Sequence, residues 1–407
     1  MPKLATHHSC TGCMGCIDVC PKQAISKHIG SDGHYYVKVD PEKCVECGLC
    51  ERTCPVVNGS SYGKESPARS YHAAWSLNEK IRKRGATSGL FGAMAGCVIA
   101  SGGVAVGVRM EGIRCRYFII RSPEDLQSAQ GSKYTASDPE GIYSEVRTEL
   151  KGGRRVLFCG LPCHVAACLS VIPEALHHKL ICVDLICGGV SSPALLEIFR
   201  KSTPDFSAVK SFRNKKYGWK PSGFKYNFTF IRNDGTESEA SRDKKHLVTD
   251  GFACELTDRY SCYNCRFALP SRKSDITIGD LWGDKDYPAQ HPEGVSLAMV
   301  HSTKGEELLR EADISLNPVD PGKALLSNRR VVDGRSVKQW FPERRLFPFL
   351  SRHLSPSMLT RIYAGDLKTR NPLWWPLALW RLVSFRIAEK LMRRRSGRLI
   401  ERLFRNQ

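Results

Sequence analysis

Residues 10–21 read CTGCMGCIDVCP, and residues 44–55 read CVECGLCERTCP. Each run spaces four cysteines as C-x2-C-x2-C-x3-C and closes with a proline, which is the spacing that holds [4Fe–4S] clusters in two-cluster bacterial ferredoxins. In that arrangement the first three thiolates of a run bind one cluster, and the fourth binds the other. The sequence therefore predicts two sets of cluster ligands: Cys10, Cys13, Cys16 and Cys54, and Cys44, Cys47, Cys50 and Cys20.

The close spacing of these cysteines distinguishes the cluster interpretation from its alternatives, which are paired disulfides and zinc knuckles. Zinc sites usually take their cysteines as separated pairs, whereas each run here holds four and the pattern is repeated. Gly12, Gly15 and Gly48 lie between the cysteines and let the backbone pass close to the sulfides of a cluster. We therefore expect a small α+β domain of the bacterial two-[4Fe–4S] ferredoxin type.

Length and composition indicate a larger protein around this module. The chain has 407 residues, 18 cysteines and a formal net charge of +20, so it is long enough for a large catalytic core. A secreted protein would use such cysteines in disulfides, but the polar N-terminus leads directly into the first run, which favours a reducing cytoplasm. No stretch supplies the roughly eighteen uninterrupted apolar residues of a membrane span. We expect a cytoplasmic protein.

Apolar strand-like runs and helix-like segments alternate through the middle of the chain, which is typical of an α/β domain. The strand-like runs are residues 71–75, 104–108, 117–120, 155–158 and 179–185, and residues 224–236 read as a hairpin. We predict four segments: residues 1–57 as the ferredoxin-like domain, 58–69 as a polar linker, 70–350 as an α/β domain with a mixed sheet, and 351–407 as a tail.

A second set of cysteines lies in turn-like contexts beyond the ferredoxin-like domain. Its members are Cys163, Cys187, Cys262 and Cys265. Two single cysteines at strand ends and one C-x2-C pair form a candidate four-thiolate site, which suits either zinc or a third [4Fe–4S] cluster. We favour the cluster, because the two clusters at the start of the chain already indicate electron transfer.

Six motifs in a fixed order resemble one known family. They are residues 84–89 (RGATSG), 131–134 (GSKY), 158–163 (FCGLPC), 184–190 (DLICGGV), 262–265 (CYNC) and 274–283 (SDITIGDLWG). Together they resemble the coenzyme F420 hydrogenase/dehydrogenase beta-subunit family over roughly residues 1–350. The resemblance implies an α/β flavoprotein domain that binds FAD beside a cluster held by the second cysteine set. Bound flavin would convert the single electrons of clusters into the hydride that organic substrates accept.

The resemblance also points to flavin contacts. Thr87, Ser88 and Gly89 precede a helix of small residues and present backbone N–H groups and hydroxyls to a pyrophosphate, although ordinary helix capping explains them too. Lys133 either pairs with a phosphate, lies near the flavin ring or is a solvated side chain. The sequence departs from the family pattern at His164, where Gln is common, and at Gly188, where His is common. These departures weaken the transfer of deazaflavin specificity from the family, and no catalytic residue is assigned.

The C-terminal tail is basic and amphipathic. From Lys368 onward it has eleven Lys or Arg against two Glu, and apolar residues recur at helical spacing from Trp380 to Leu403. Such a helix suits the surface of an anionic membrane, which would place the protein peripherally on the inner face. Docking to an acidic partner is the second interpretation, and we expect no nucleic acid because no nucleic-acid fold signature is present.

These observations leave two functional hypotheses. In the first, an iron–sulfur flavoprotein oxidoreductase passes electrons between [4Fe–4S] clusters, FAD and an organic or deazaflavin-type substrate. In the second, the chain is an electron-transfer subunit that connects a separate oxidoreductase partner to a diffusible carrier such as ferredoxin. Substrate turnover by the isolated chain distinguishes them.

Overall fold

The structure is a computed structural model of the chain. It describes residues 1–59, 67–213, 215, 216, 218, 219, 228–240, 247–253, 255–282, 286–290, 292–334, 336, 342–363, 387, 390, 391 and 394–399. Within these residues the chain forms a ferredoxin-like module followed by a large mixed α/β domain. The predicted segment boundaries at residues 57, 69 and 350 stay predictions.

The ferredoxin-like module contains two similar units, each with one cysteine run and one short helix. Its elements are α1 (Gly15–Asp18), β1 (Ile25–Ile29), β2 (Tyr35–Val39) and α2 (Leu49–Thr53). The two strands pair antiparallel, with Ile25 opposite Val39. Each short helix begins inside a cysteine run, after a left-handed residue: Met14 at φ 56° and Gly48 at φ 71°. The repeat in the sequence is therefore also a repeat in the backbone.

The large domain alternates strands and helices. In chain order it contains β3 (Ser70–Ser76), α3 (Glu79–Arg84), α4 (Leu90–Ala100), β4 (Val104–Glu111), β5 (Arg114–Ile120), α5 (Pro123–Ala129), β6 (Ser137–Asp138), α6 (Ile142–Lys151), β7 (Val156–Gly160), α7 (Pro162–Val171), β8 (Leu180–Leu185), α8 (Ala194–Ser202), β9 (Phe206–Ser211), β10 (Thr229–Arg232), β11 (Glu237–Glu239), α9 (Leu247–Ala253), β12 (Ile276–Asp280), β13 (Ser296–Val300), α10 (Thr303–Glu311), β14 (Ile314–Pro318), α11 (Pro321–Ser327), α12 (Pro342–His353) and α13 (Pro356–Tyr363).

Nine of these strands form one sheet, in the order β14-β3-β13-β12-β8-β7-β4-β5-β6. The strands β4, β7, β8 and β12 are mutually parallel, and antiparallel strands extend the sheet on both sides. The predicted mixed sheet is thus confirmed. β7 is buried along its whole length, as expected for a parallel strand with helices on both faces.

Alternate residues of the central strands face two separate apolar layers, because side chains along a strand point to opposite faces. Leu157 of β7 packs with α4, α5 and α10 on one face. Phe158 packs with α6 and α7 on the other. Cys13 and Val19 of the ferredoxin-like module join this second layer, so the module docks on the α6–α7 face.

A smaller antiparallel sheet, β11-β10-β9, lies beside the large one. Thr229 of β10 pairs with Glu239 of β11, and Gly235 in the turn has φ 83°. The predicted hairpin is therefore present from residue 229 onward, and its first part, residues 224–227, lies outside the described residues.

Most of the predicted basic tail lies outside the described residues. Of the predicted tail, residues 351–363 form the end of α12 and α13, where Leu359 packs against Leu195 and Ile198 of α8, and residues 387, 390, 391 and 394–399 are helical. Leu391 is 56% exposed, whereas Ser396 is buried and Leu399 packs against the apolar cluster around Val331. Arg395 Nε lies 2.9 Å from Asp333 Oδ2. No helix in the described part of the chain has the length and apolar character to cross a membrane.

Candidate functional site

The first predicted thiol set combines both cysteine runs. Burial, with smaller contributions from the neighbouring Cys10 and Cys54, raises the pKa of Cys13 to about 12. Burial likewise raises the pKa of Cys16, with added contributions from Cys13, Cys10 and Cys54. Cys54 of the second run therefore lies with the first three cysteines of the first run, as the crossed pattern predicts.

The second predicted set surrounds a small cavity near the surface. The residues lining it include all four predicted members, Cys20, Cys44, Cys47 and Cys50. The backbone N–H of Ala24 donates to Cys20 Sγ at 3.3 Å, which is the type of contact that stabilises a thiolate. Cys47 is exposed, so this set lies at the outer end of the module.

The third set gathers cysteines from three parts of the large domain. Cys163 begins α7 after β7, and Cys187 follows β8. Because β7 and β8 are adjacent and parallel, their carboxyl ends meet at one edge of the sheet. Burial raises the pKa of Cys163 well above its usual value, and Cys265, Cys187, Cys262 and Cys13 raise it further.

This third set fits an iron–sulfur centre by its chemistry. Burial and the neighbouring thiols raise the pKa values of Cys163, Cys187 and Cys262, and a bound metal centre relieves this by stabilising the thiolates. No group of three or more His, Cys, Asp or Glu among the described residues is arranged around a single metal ion. A four-iron cube takes one thiolate per iron, so its ligands are spaced differently from those of an ion.

The ferredoxin-like module and the large domain meet where the first and third sets approach each other. Tyr143 Oη of α6 donates to the Cys13 carbonyl at 2.8 Å, and Ser261 Oγ donates to the Cys10 carbonyl at 3.1 Å. The carboxylate of Asp18 accepts the backbone N–H groups that begin α6. Cys13 and Cys163 are close enough for the first thiol to raise the pKa of the second.

Arg259 lies in this junction. Its Nη1 donates to the carbonyl of Tyr35 at 2.9 Å, and a Cβ on Gly12 would overlap its guanidinium. Burial raises the pKa of both Cys10 and Cys262, and Arg259 opposes this with a smaller effect that lowers both pKa values. One buried cation thus lies beside both the first and the third thiol sets, a feature that sequence spacing did not indicate.

A cavity of about 690 Å³ opens at the carboxyl edge of the parallel strands. This edge is where open α/β sheets bind ligands, and the volume is in the range of small-molecule and cofactor sites. All four predicted flavin contacts line it: Thr87, Ser88, Gly89 and Lys133. Cys187 of the third thiol set lines it as well, so the cavity adjoins that set.

The start of α4 forms one wall of the cavity. Gly89 has φ 78° and caps the helix without a side-chain hydrogen bond, so the first N–H groups of the helix have no side-chain acceptor. Thr87 Oγ1 donates to Asp280, and Ser88 Oγ donates to Ser296 Oγ at 2.7 Å. The two hydroxyls therefore hold the loop, and the backbone N–H groups are the donors suited to a pyrophosphate.

Lys133 lines the cavity, but its ammonium already has acceptors. Nζ donates to the carbonyls of Ala129 at 2.7 Å, Gln130 at 2.8 Å and Gly131 at 3.1 Å. Burial lowers its pKa to about 8. The ammonium therefore binds the carbonyls at the C-terminal end of α5, and a position of Lys133 near the flavin ring stays a prediction.

Aromatic and cationic side chains complete the wall beyond α4. Arg213 Nη1 donates to Asp280 Oδ2 at 2.9 Å, and its Cζ lies 5.7 Å from the ring centre of Trp282. Trp282 stacks on Trp219, with ring centres 5.1 Å apart. Trp282 belongs to one of the six motifs, whereas nothing in the sequence near Arg213 pointed to the cavity.

His164, the departure beside Cys163, is a buried hydrogen-bonded residue. Its Nδ1 lies 2.9 Å from Tyr117 Oη. Burial, and then Arg259, lowers its pKa to about 3, so the imidazole is neutral near pH 7. Tyr117 lines the cavity and separates His164 from it.

Comparisons with known proteins agree with these observations. Two family models of the coenzyme F420 hydrogenase/dehydrogenase beta subunit match the large domain: the model of its N-terminal part matches residues 71–140, and the model of its C-terminal part matches residues 153–319. Residues 9–58 match the model of the 4Fe-4S dicluster domain. The ferredoxin-like module is thus confirmed as a 4Fe–4S domain.

Curated ferredoxins are similar to a short part of the chain. Ferredoxin 7Fe of Hydrogenibacillus schlegelii is 46% identical over 41 residues, 10% of this chain and 46% of that protein. Ferredoxin-1 of Caulobacter vibrioides is 34% identical over 50 residues, 12% of this chain and 40% of that protein. The chain therefore spans less than half the length of these relatives. A chain of the F420-reducing [NiFe] hydrogenase complex from Methanosarcina barkeri superimposes with a TM-score of 0.45 and 16% identity, over 70% of this chain and 92% of that one.

Proposed function

This chain belongs to the coenzyme F420 hydrogenase/dehydrogenase beta-subunit family, and from that membership we propose that it is an iron–sulfur flavoprotein oxidoreductase. It passes electrons between [4Fe–4S] clusters, FAD and an organic or deazaflavin-type substrate. One observation carries the proposal: Cys187 lines the large cavity and belongs to a thiol set whose Cys163 adjoins Cys13 of the ferredoxin-like module. The first thiol set, the third thiol set and the cavity are therefore adjacent in that order.

Each group of residues has one task in this proposal. The ferredoxin-like cysteines hold two clusters, and Cys163, Cys187, Cys262 and Cys265 hold a third. FAD, when bound in the cavity, supplies the exchange between single electrons and electron pairs. The N–H groups at the start of α4 bind its pyrophosphate, while Thr87 and Ser88 fix the loop that presents them.

Cofactor content tests the proposal directly. Anaerobically purified protein should contain about twelve irons, because three cubes hold four each, and acid should release FAD. Cys265→Ser should lose about four irons and the link between flavin and ferredoxin-like clusters, while the other eight irons remain. Cys97→Ser is a matched control, since Cys97 lies on α4 outside the three sets. Zinc in place of iron, or a protein that never yields flavin, would refute the proposal.

The alternative is an electron-transfer subunit that connects a separate oxidoreductase partner to ferredoxin or another carrier. The exposure of Cys47 favours it, because electron exchange with a second protein needs a centre near the surface. Substrate turnover by the purified chain with an artificial reductant would support the oxidoreductase. Turnover that appears only when a second protein is added would support the alternative.

We also propose that the tail associates with anionic membrane surfaces. Each basic residue near such a surface contributes about 1 kcal/mol, and salt screens this attraction. The full chain should float with anionic liposomes at low salt and remain in solution with neutral liposomes. A chain that ends at Asp366 should remain in solution with both, and flotation of this shorter chain would contradict the proposal.

A further inference from the structure

Arg330 lies between the third thiol set and the large cavity. It belongs to the short 3-10 helix Arg329–Val331, after α11, and lines the cavity. Its Nη2 donates to the carbonyl of Gly188 at 2.8 Å and to that of Cys262 at 3.2 Å. One guanidinium therefore contacts the two chain segments that carry Cys187 and Cys262.

The other two nitrogens of this guanidinium have no acceptor in the part of the chain that the structure describes. Nε and Nη1 are buried, and neither has a hydrogen-bond partner among the described residues. A buried charged donor without an acceptor is destabilising by a few kcal/mol, and native structures rarely keep one without a reason. These two N–H groups thus indicate a bound group that accepts them.

The charges around Arg330 identify where this acceptor lies. Glu255, Asp258, Cys187 and Cys265 lie close enough to the guanidinium to interact with its charge. An arginine side chain stays protonated in proteins, so Arg330 is a cation. Two of the four groups are thiols of the third set, whereas Ser336 already donates to Glu255 at 2.6 Å.

We propose that Arg330 is a positioning residue whose charge and two free N–H groups raise the reduction potential of the iron–sulfur centre held by the third cysteine set. The inference rests on the proposed function, which supplies that centre. Reduction adds one electron to a cluster, and a cation or N–H donor beside its sulfurs stabilises the reduced form more than the oxidised one. The centre next to the cavity thereby accepts electrons more readily than it would without Arg330.

Arg259 does not duplicate this role. It lies on the side of the third set that faces the ferredoxin-like module, and its Nη1 already donates to Tyr35. Neither Nη1 nor Nη2 of Arg259 belongs to the buried donors without an acceptor, whereas Arg330 has two such nitrogens. Arg259 therefore lies on the module side of the third set, and Arg330 lies on its cavity side.

The experiment is an anaerobic redox titration of the full-length holoprotein, followed by electron paramagnetic resonance. Arg330→Gln keeps much of the side-chain length but removes the charge. It should make reduction of the third centre about tenfold less favourable or more, which is a negative shift of about 59 mV for a one-electron couple. Arg330→Lys should restore part of the potential, since it keeps the charge and loses the fork of N–H groups.

Two controls separate this effect from general damage. The potentials of the two ferredoxin-like clusters should not move in Arg330→Gln, and they are measured in the same sample. Arg310→Gln removes a cation from the exposed face of α10, where the Arg310 side chain is 72% exposed, and should leave the potential of the third centre unchanged.

The outcomes of the two proposals differ. About eight irons in the unmodified protein would remove the third centre from the proposed function, and this inference with it. About twelve irons, with an unshifted potential in Arg330→Gln, would overturn this inference alone. Equal shifts of all three centres, or loss of the third centre in both Arg330 variants, would overturn it too, because Arg330 would then only stabilise the fold.

Discussion

At the scale of single residues, Gly89 shows how strictly the start of α4 is determined. Its φ is 78°, and an added Cβ would lie 2.8 Å from Arg82 Cα and 2.9 Å from the Ile81 carbonyl oxygen. Both are backbone atoms, which cannot turn away as a side-chain end can. Only glycine therefore lets the loop after α3 enter α4 at this angle.

Gly89→Ala should lower the midpoint of urea unfolding and release flavin. The left-handed conformation alone is unfavourable by about 1–2 kcal/mol for alanine, and the overlap would push the loop away from α3. Gly102→Ala is the matched control, since Gly102 has φ 82° and no atom within 4 Å of its added Cβ. Flavin absorbance after gel filtration measures the outcome. Equal flavin content in the two variants would contradict a role of this loop in cofactor binding.

His301 gives the stability a pH dependence. Its Nε2 lies 2.9 Å from Thr277 Oγ1, and burial, followed by Arg272, lowers its pKa to about 3. An unfolded histidine titrates near pH 6.5. Below that pH the unfolded chain binds a proton at His301 that the folded chain does not bind. The contribution of His301 to the free energy of unfolding is therefore fully present above about pH 6.5 and decreases as the pH falls toward 3.

We therefore expect the urea midpoint of the holoprotein to fall between about pH 6.5 and about pH 5, and to fall less steeply in His301→Gln. One such group changes the free energy of unfolding by at most about 1.4 kcal/mol per pH unit. Denaturation curves of both proteins at several pH values measure the slopes. Identical slopes would show that His301 takes up its proton without unfolding.

The individual site residues differ in how far sequence could predict them. The ferredoxin-like cysteines could be grouped because cluster ligands follow a fixed local spacing. The sequence indicated Lys133 as a cofactor contact, and the side chain lines the cavity. It did not indicate the hydrogen bonds of Lys133 to the end of α5, because a sequence does not show which acceptor an ammonium group reaches. Arg330 was missed altogether. It is more than sixty residues from Cys262, and only the fold brings the two together.

At the scale of elements, the contact between α1 and α6 joins the two parts of the protein. Asp18 ends α1, and its carboxylate accepts the N–H groups of Gly141 at 2.8 Å, Tyr143 at 3.0 Å and Ser144 at 3.3 Å. These donors belong to the first turn of α6, which has no side-chain cap of its own. A residue of the ferredoxin-like module thus supplies the N-terminal cap of a helix in the large domain.

Asp18→Ala should destabilise the protein by about 1–2 kcal/mol, the usual effect of losing a cap, and should also slow electron transfer from the ferredoxin-like clusters to flavin severalfold. Ser122→Ala is the control, because Ser122 caps α5 within the large domain and accepts the Asp125 N–H at 3.2 Å. It should lower stability comparably without slowing the transfer. Flavin reduction after rapid photoreduction of the clusters gives the rate, and equal rates in both variants would contradict the prediction.

The sequence predicted the secondary-structure elements better than it predicted which elements lie next to each other. The apolar runs at residues 155–158 and 179–185 became β7 and β8, because buried parallel strands need continuous apolar residues. The two strands are adjacent in the sheet, and this brings Cys163 and Cys187 together. The order of strands in a sheet cannot be read from the periodicity of apolar residues in the sequence. The turn-like contexts of the cysteines suggested this grouping from the sequence, and the resemblance to a family implied the same set.

At the scale of the whole molecule, the end of the chain returns to the cavity. Ser396 is buried and lines it, and Arg395 pairs with Asp333, which also lines it. The predicted tail is therefore not independent of the core, although Leu391 is 56% exposed. The sequence could not show this, since its amphipathic pattern suits a membrane and a protein surface equally.

Arg395→Gln should increase the rate of flavin dissociation severalfold, because Asp333 loses a charged partner at the cavity wall. Arg398→Gln removes the same charge at an exposed position three residues later and should leave that rate unchanged. Flavin fluorescence recovered on dilution measures both. If the two variants release flavin at the same rate, net charge rather than the Arg395–Asp333 pair controls binding.

The docking of the ferredoxin-like module on α6 and α7 has a kinetic consequence. A free ferredoxin must find its enzyme by diffusion, so its reduction rate depends on concentration and falls as salt screens the attraction. Here the hydrogen bonds of the Asp18 carboxylate and the Tyr143 hydroxyl keep the ferredoxin-like module bound to the large domain. Electron delivery from these clusters to the cavity should therefore be first order, unchanged by dilution and nearly insensitive to ionic strength.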